Sequence, residues 1–195
     1  MLDTQGSNRP LNIPNFITVG RVILVPVVFW LLVSGRVQAA FFVFVLAGIS
    51  DGLDGFLAKR YGWRTELGAH LDPLADKLLL VTVFVALGIS GQVPSWLVIA
   101  IVTRDILIIG AIMVSWLMDN PVQIRPFAVS KANTASQLVL ASLVLADLGF
   151  GLGLQMARIA LIWLTAFLTV VSLAAYMQAW LRHMTGYGPD GGSRP

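Results

Sequence analysis

From Asn15 onward the chain alternates long apolar runs with short polar or glycine-bearing breaks. Each run approaches the roughly 20 residues that an α-helix needs to cross a hydrocarbon layer. The pattern predicts six helices, over about 15–33, 37–59, 67–90, 96–118, 131–149 and 155–181. The breaks fall at Ser34-Gly35, Tyr61-Gly62, Gly91-Gln92-Val93-Pro94, Asp119-Asn120-Pro121 and Gly149 to Gly153, all turn-forming clusters. Pro26 lies inside the first run and is expected to kink it, because proline lacks an N–H and crowds the preceding turn. Met1 to Asn12 is polar, the run after it is long for a signal sequence, and no A-x-A site follows, so no cleavable signal is expected. The expected organisation is an interfacial segment over 1–14, a six-helix domain over 15–182 and a flexible Gly/Pro-rich tail over 183–195.

Composition narrows the class. The 195 residues are 57% hydrophobic and 12% charged, with a mean hydropathy of +0.81. A soluble domain carries about 25% charged residues. A disordered chain, a collagen, a coiled coil and an ordinary soluble enzyme are excluded, and an all-α polytopic membrane bundle of six transmembrane helices is expected. There is no cysteine, which removes disulfides, thiolate catalysis and cysteine-held metals. The net charge is +3, but no basic stripe with interleaved aromatics suggests nucleic acid as a partner. The cations fit membrane loops better. With six spans, Arg9, Lys59, Arg60, Arg64, Arg125, Lys131, Arg182 and Arg194 fall on one side, and Arg36 and Arg158 on the other. That bias places both termini in the cytoplasm, or on the matrix side of a mitochondrion. Arg21, Lys77 and Arg104 remain within spans.

Four carboxylates occupy the second and third spans: Asp51, Asp54, Asp72 and Asp76. A charge at the centre of a bilayer costs several kcal/mol, so such residues mark function by default. Asp51 and Asp54 are spaced i, i+3, and Asp72 and Asp76 i, i+4, so each pair shares a helix face. Asp51 lies roughly 13 Å along a helix from Arg60, and on antiparallel neighbouring spans the two pairs are expected to converge near the cytoplasmic ends, about two turns below the surface. Four carboxylates in a small volume need compensation. All-oxygen ligation suits Mg²⁺ or Mn²⁺, and a cluster of this size suits two such ions and phosphoryl chemistry. Gly55, Ala58 and Gly68 leave the helix surface bare beside the acids, either for a ligand or for close helix packing.

The run Asp51-Gly-Leu-Asp54-Gly55-Phe-Leu-Ala58-Lys59, followed by Gly68, Asp72 and Asp76, resembles the signature of the CDP-alcohol phosphotransferases, D-x-x-D-G-x-x-A-R and then G-x-x-x-D-x-x-x-D. Lys59 stands where the family usually has arginine, and Arg60 follows it. The flanks look most like the cardiolipin synthases of the eukaryotic type, through Asn12-Ile-Pro14-Asn15, Thr18, Arg21, Leu71 to Lys77, Thr103-Arg104-Asp105 and Ser130 to Leu138. Phosphatidylglycerophosphate synthases are similar in the first half of the chain.

The resemblance implies transfer of a phosphatidyl group from CDP-diacylglycerol to an alcohol, with release of CMP. It implies that Asp51, Asp54, Asp72 and Asp76 hold metal, that Asp76 is also the general base, and that Gly55, Ala58, Lys59, Arg60 and Gly68 serve the CDP moiety. With phosphatidylglycerol as acceptor the product is cardiolipin, and Arg21, Arg104 and Lys131 are candidates for the acceptor phosphate, Lys77 less so. Arg104-Asp105 also reads as an internal ion pair. Asn133, Thr134 and Gln137 put polar groups on one face of the fifth span, for a cavity or for bonds between helices. No nucleophilic Ser, Cys or His is suitably arranged, so direct displacement is expected. The alternatives are a glycerol 3-phosphate acceptor and, from another class, a cation transporter using the buried acids. A homodimer in a bacterial inner membrane follows from the resemblance and from the lack of a transit peptide.

Overall fold

The structure, a computed structural model, describes residues 13–61, 66–117 and 128–184, with side chains described over 20, 22–50, 77–111, 113 and 128–181. Six helices follow one another: α1 (Ile13–Val33), α2 (Val37–Tyr61), α3 (Glu66–Ile89), α4 (Ser95–Leu117), α5 (Ala128–Phe150) and α6 (Gln155–Met184). No strand occurs among the described residues. The all-α expectation holds, and the helices match the apolar runs to within a few residues. The largest shifts, three residues each, are at the start of α5, Ala128 rather than Lys131, and at the end of α6, Met184 rather than Leu181. Pro26 is accommodated inside α1. The breaks expected at Gly62 and at Asp119-Asn120-Pro121 lie outside the described residues, as do the segment before Ile13 and the tail after Met184.

Glycine ends the helices at the three described turns. A helix leaves its last carbonyls unpaired, and a left-handed residue just past the end lets following N–H groups turn back to them. Gly35 has φ 71°, and the N–H groups of Gly35 and Arg36 reach Leu32 and Leu31 oxygens at 3.1 and 2.9 Å. Gly91, also at φ 71°, repeats the arrangement with Gly88 and Leu87 as acceptors at 3.1 and 2.9 Å for Gly91 and Gln92. Between α5 and α6, Asp147 Oδ1 accepts the Leu154 N–H at 2.9 Å, so one carboxylate ties the end of α5 to the start of α6. Such tight turns make α1 and α2 antiparallel neighbours, and likewise α5 and α6.

The chain divides into two units, residues 1–83 and 84–195, with the boundary inside α3. In the first, α1 packs on α2, and Val28, Leu31, Ala40, Phe44 and Ala47 are buried. In the second, α6 packs against both α4 and α5. Its buried apolar side chains include Leu97, Ile101, Leu140, Val144, Leu145 and Ile162. Here the end of α3 meets α4 closely: a Cβ on Gly88 would lie 3.0 Å from Val98 Cγ2.

The outer faces are apolar. Ile23, Leu46, Ile99, Met113, Trp163, Phe167 and Val170 are all at least 60% exposed, while Arg104, Asn133, Thr169 and Ser172 are at most 2% exposed. A water-soluble protein shows the reverse distribution. Among the described residues α5 and α6 are long and apolar enough to cross a membrane, and shorter apolar helices run over Val22–Val33, Val37–Ser50 and Lys77–Ile89.

Candidate active site

All four aspartates fall in the first unit, on helical backbone: Asp51 and Asp54 on α2, Asp72 and Asp76 on α3. Helical backbone at both pairs supports the face-sharing that the i, i+3 and i, i+4 spacings predict. Their side chains lie outside the described residues, as do those of Arg21, Gly55, Ala58, Lys59, Arg60 and Gly68. Among the described residues no group of three or more His, Asp or Glu side chains gathers. As donors the four carboxylates fit Mg²⁺ or Mn²⁺, since hard divalent ions take oxygen ligands on adjacent turns.

In the second unit the structure brings together a polar cluster at the junction of α4, α5 and α6. Arg104, on α4, is 2% exposed. Its Nη1 donates to Asp105 Oδ1 at 2.5 Å, and its Nη2 donates to Ser130 Oγ of α5 and to Ser172 Oγ of α6, each at 2.6 Å. The guanidinium carbon lies 5.8 Å from the ring centroid of Tyr176, a cation–π distance. Its Nε is buried without a partner. Residues adjacent in a helix do not normally face each other, and it is the length of the arginine side chain that lets the Arg104 guanidinium reach Asp105.

One turn away, the Thr169 hydroxyl of α6 lies 3.0 Å from Asn133 Oδ1 of α5. In the antiparallel register of the pair, the next level holds Gln137 and Thr165. Asn133 Nδ2, Gln137 Nε2 and Thr165 Oγ1 are buried without partners. The α5–α6 seam is therefore polar from Ser130 to Gln137 and apolar from Leu140 to Leu145. Asn133 and Gln137 are legible as a polar face of the fifth apolar run. Thr165, Thr169, Ser172 and Tyr176 belong to the same cluster and are absent from the expected set. Their signal is the spacing of three to four residues between polar groups inside an apolar run.

Lys131, next to Ser130, is exposed at the start of α5. Lys77 is half-buried on α3 in the first unit. At the far end of α6, Arg158 Nη1 donates to Gln92 Oε1 at 3.2 Å, and Trp96 and Trp163 pack with ring centroids 5.7 Å apart.

Two helical pairs of aspartates in the D-x-x-D-G and G-x-x-x-D-x-x-x-D spacing, carried by a chain whose described elements are all helices with apolar outer faces, define a class that comparison with known proteins makes explicit. The chain matches the CDP-alcohol phosphatidyltransferase family over residues 11–171, and it belongs to that family. It is 34% identical over 191 residues to the chloroplastic CDP-diacylglycerol--glycerol-3-phosphate 3-phosphatidyltransferase 1 of Oryza sativa, covering 89% of this chain and 58% of that protein. It is 33% identical over 185 residues to the cardiolipin synthase (CMP-forming) of Homo sapiens, covering 86% of this chain and 61% of that protein. It is 31% identical over 173 residues to the CDP-diacylglycerol--glycerol-3-phosphate 3-phosphatidyltransferase of Rickettsia felis, covering 86% of this chain and 94% of that protein. The chain thus spans about three fifths of the rice and human proteins it resembles.

Proposed function

We propose that this chain is a membrane phosphatidyltransferase that moves the phosphatidyl group of CDP-diacylglycerol to phosphatidylglycerol, giving cardiolipin and CMP. The family match across residues 11–171, with all four aspartates in the family's spacing, carries the phosphatidyl transfer, and the likeness of the flanks to cardiolipin synthases supports phosphatidylglycerol as acceptor. The acceptor hydroxyl oxygen bonds to the phosphatidyl phosphorus, the diphosphate P–O bond to CMP breaks, and the hydroxyl proton passes to Asp76. Asp51, Asp54, Asp72 and Asp76 would hold Mg²⁺ or Mn²⁺, two ions in all, which when bound would supply the positive charge that balances the diphosphate and the leaving CMP. Gly55, Ala58 and Gly68 serve the cytidine, and Lys59 with Arg60 serves the diphosphate. Lys131 and Arg21 attract the acceptor phosphate. All six helices cross the bilayer with the termini cytoplasmic, in a bacterial inner membrane and as a homodimer. Exposed apolar outer faces, with Arg104, Asn133, Thr169 and Ser172 buried, support the bilayer.

A second reading takes glycerol 3-phosphate as acceptor. It is favoured by the rice relative, whose name specifies that acceptor and which is 34% identical over 191 residues. This acceptor is a small soluble dianion and needs a tighter cationic pocket than a lipid phosphodiester does.

The deciding experiment supplies purified protein with CDP-diacylglycerol, Mg²⁺ or Mn²⁺ and one acceptor at a time, and follows CMP release. Release with phosphatidylglycerol alone supports the first reading. Release with glycerol 3-phosphate alone supports the second, and release with neither acceptor rejects both.

A further inference from the structure

Arg104 is a buried charge whose terminal nitrogens are already engaged. Its Nη1 is on Asp105, its Nη2 is on Ser130 and Ser172, and at 2% exposure it presents no terminal nitrogen to a ligand. An acceptor phosphate placed here would also sit beside the Asp105 carboxylate. The three hydrogen-bond partners come from three helices, and Ser130 is the one that adjoins Lys131. It lies in the first turn of α5, directly before the exposed Lys131. Its side chain is held by Arg104, and its carbonyl accepts from Thr134 Oγ1 at 3.2 Å. Each residue turns an α-helix by about 100°, so fixing Ser130 against α4 fixes the direction in which Lys131 leaves α5.

We infer that Arg104 is a positioning residue: through Ser130 it sets the rotation and height of the first turn of α5, and hence the point from which Lys131 meets the acceptor phosphate. The inference rests on the proposed role of Lys131 and replaces direct contact between Arg104 and substrate. A planar, forked guanidinium suits the task, because it serves Asp105, Ser130 and Ser172 from fixed directions, where a lysine offers a single nitrogen.

The test is a double-mutant cycle on the full chain in detergent, with acceptor titrated at saturating CDP-diacylglycerol. Ser130→Ala should raise the acceptor KM about fivefold and Lys131→Ala about tenfold, with the donor KM unchanged in both. The double variant should be no worse than Lys131→Ala alone, because the serine acts only through the lysine. Multiplying effects, or an unchanged acceptor KM in either single variant, overturns the inference. Amide hydrogen exchange supplies a readout that needs no turnover. Residues 128–134 should exchange faster in Ser130→Ala and in Arg104→Lys than in the wild type, and unchanged exchange in both overturns the inference. Absence of CMP release from the wild-type protein with either acceptor would count against the proposed reaction and leave the exchange result standing on its own.

Discussion

The Thr169 hydroxyl of α6 lies 3.0 Å from Asn133 Oδ1 of α5 and 2.8 Å from the Thr165 carbonyl one turn back. Its single proton is shared between the two acceptors. Both Thr169 and Asn133 are buried, so this is the central polar tie of the α5–α6 seam. Four residues away, Thr165 Oγ1 is just as buried and has no partner.

The two threonines should therefore respond oppositely to the same change. Thr169→Val strips Asn133 of its partner and should lower stability by about 1 kcal/mol, a magnitude typical of a buried hydrogen bond between membrane helices. Thr165→Val removes an unsatisfied hydroxyl without changing shape and should be neutral or stabilising. Thermal unfolding of the two variants in one detergent checks the contrast.

Gly91→Ala should cost about 1–2 kcal/mol, because the turn needs φ 71° and a Cβ is strained there. Gly110, inside α4 and open around its Cα, is the control: Gly110→Ala should be neutral or slightly stabilising. Melting temperatures of the pair test whether the α3–α4 turn is fixed by backbone conformation.

Arg104→Met strips a hydrogen-bond partner from Asp105, Ser130 and Ser172 at once and should cost about 3–5 kcal/mol. Arg104→Lys keeps the charge but offers one nitrogen in place of the fork and should lose less. Unfolding in detergent gives both values.

How far this was readable from sequence differs by feature. The described turns were legible, because Gly35, Gly91 and Gly151 to Gly153 occupy positions where only a residue without Cβ turns easily. The aspartate signature was legible because its spacing is local, within α2 and within α3. The surroundings of Arg104 were not. Its partners Ser130 and Ser172 stand 26 and 68 residues away, and only the packing of α4, α5 and α6 brings them to one guanidinium. From sequence Arg104 reads either as a ligand for phosphate or as the partner of Asp105, and only those two serines show how it ties three helices together. The threonines of α6 escaped for a related reason: each is small and tolerated in an apolar helix, and only the register with Asn133 and Gln137 reveals the seam.

Asp76→Asn should abolish turnover while leaving CDP-diacylglycerol binding largely intact, since an amide cannot take the acceptor proton. Single-turnover CMP release, compared with equilibrium binding of the donor lipid, separates the two effects. Near-normal release would remove Asp76 from the role of base.

In the proposed reaction the aspartates of α2 and α3 hold the divalent ions on which phosphatidyl transfer depends. Mn²⁺ binding to the full chain in detergent, followed by electron paramagnetic resonance with CDP-diacylglycerol present, tests it most directly. About two bound ions per chain are expected for the wild type, with clear losses in Asp51→Asn and Asp72→Asn. Binding that persists undiminished in those variants, or a wild-type chain that takes up no Mn²⁺, would contradict the account.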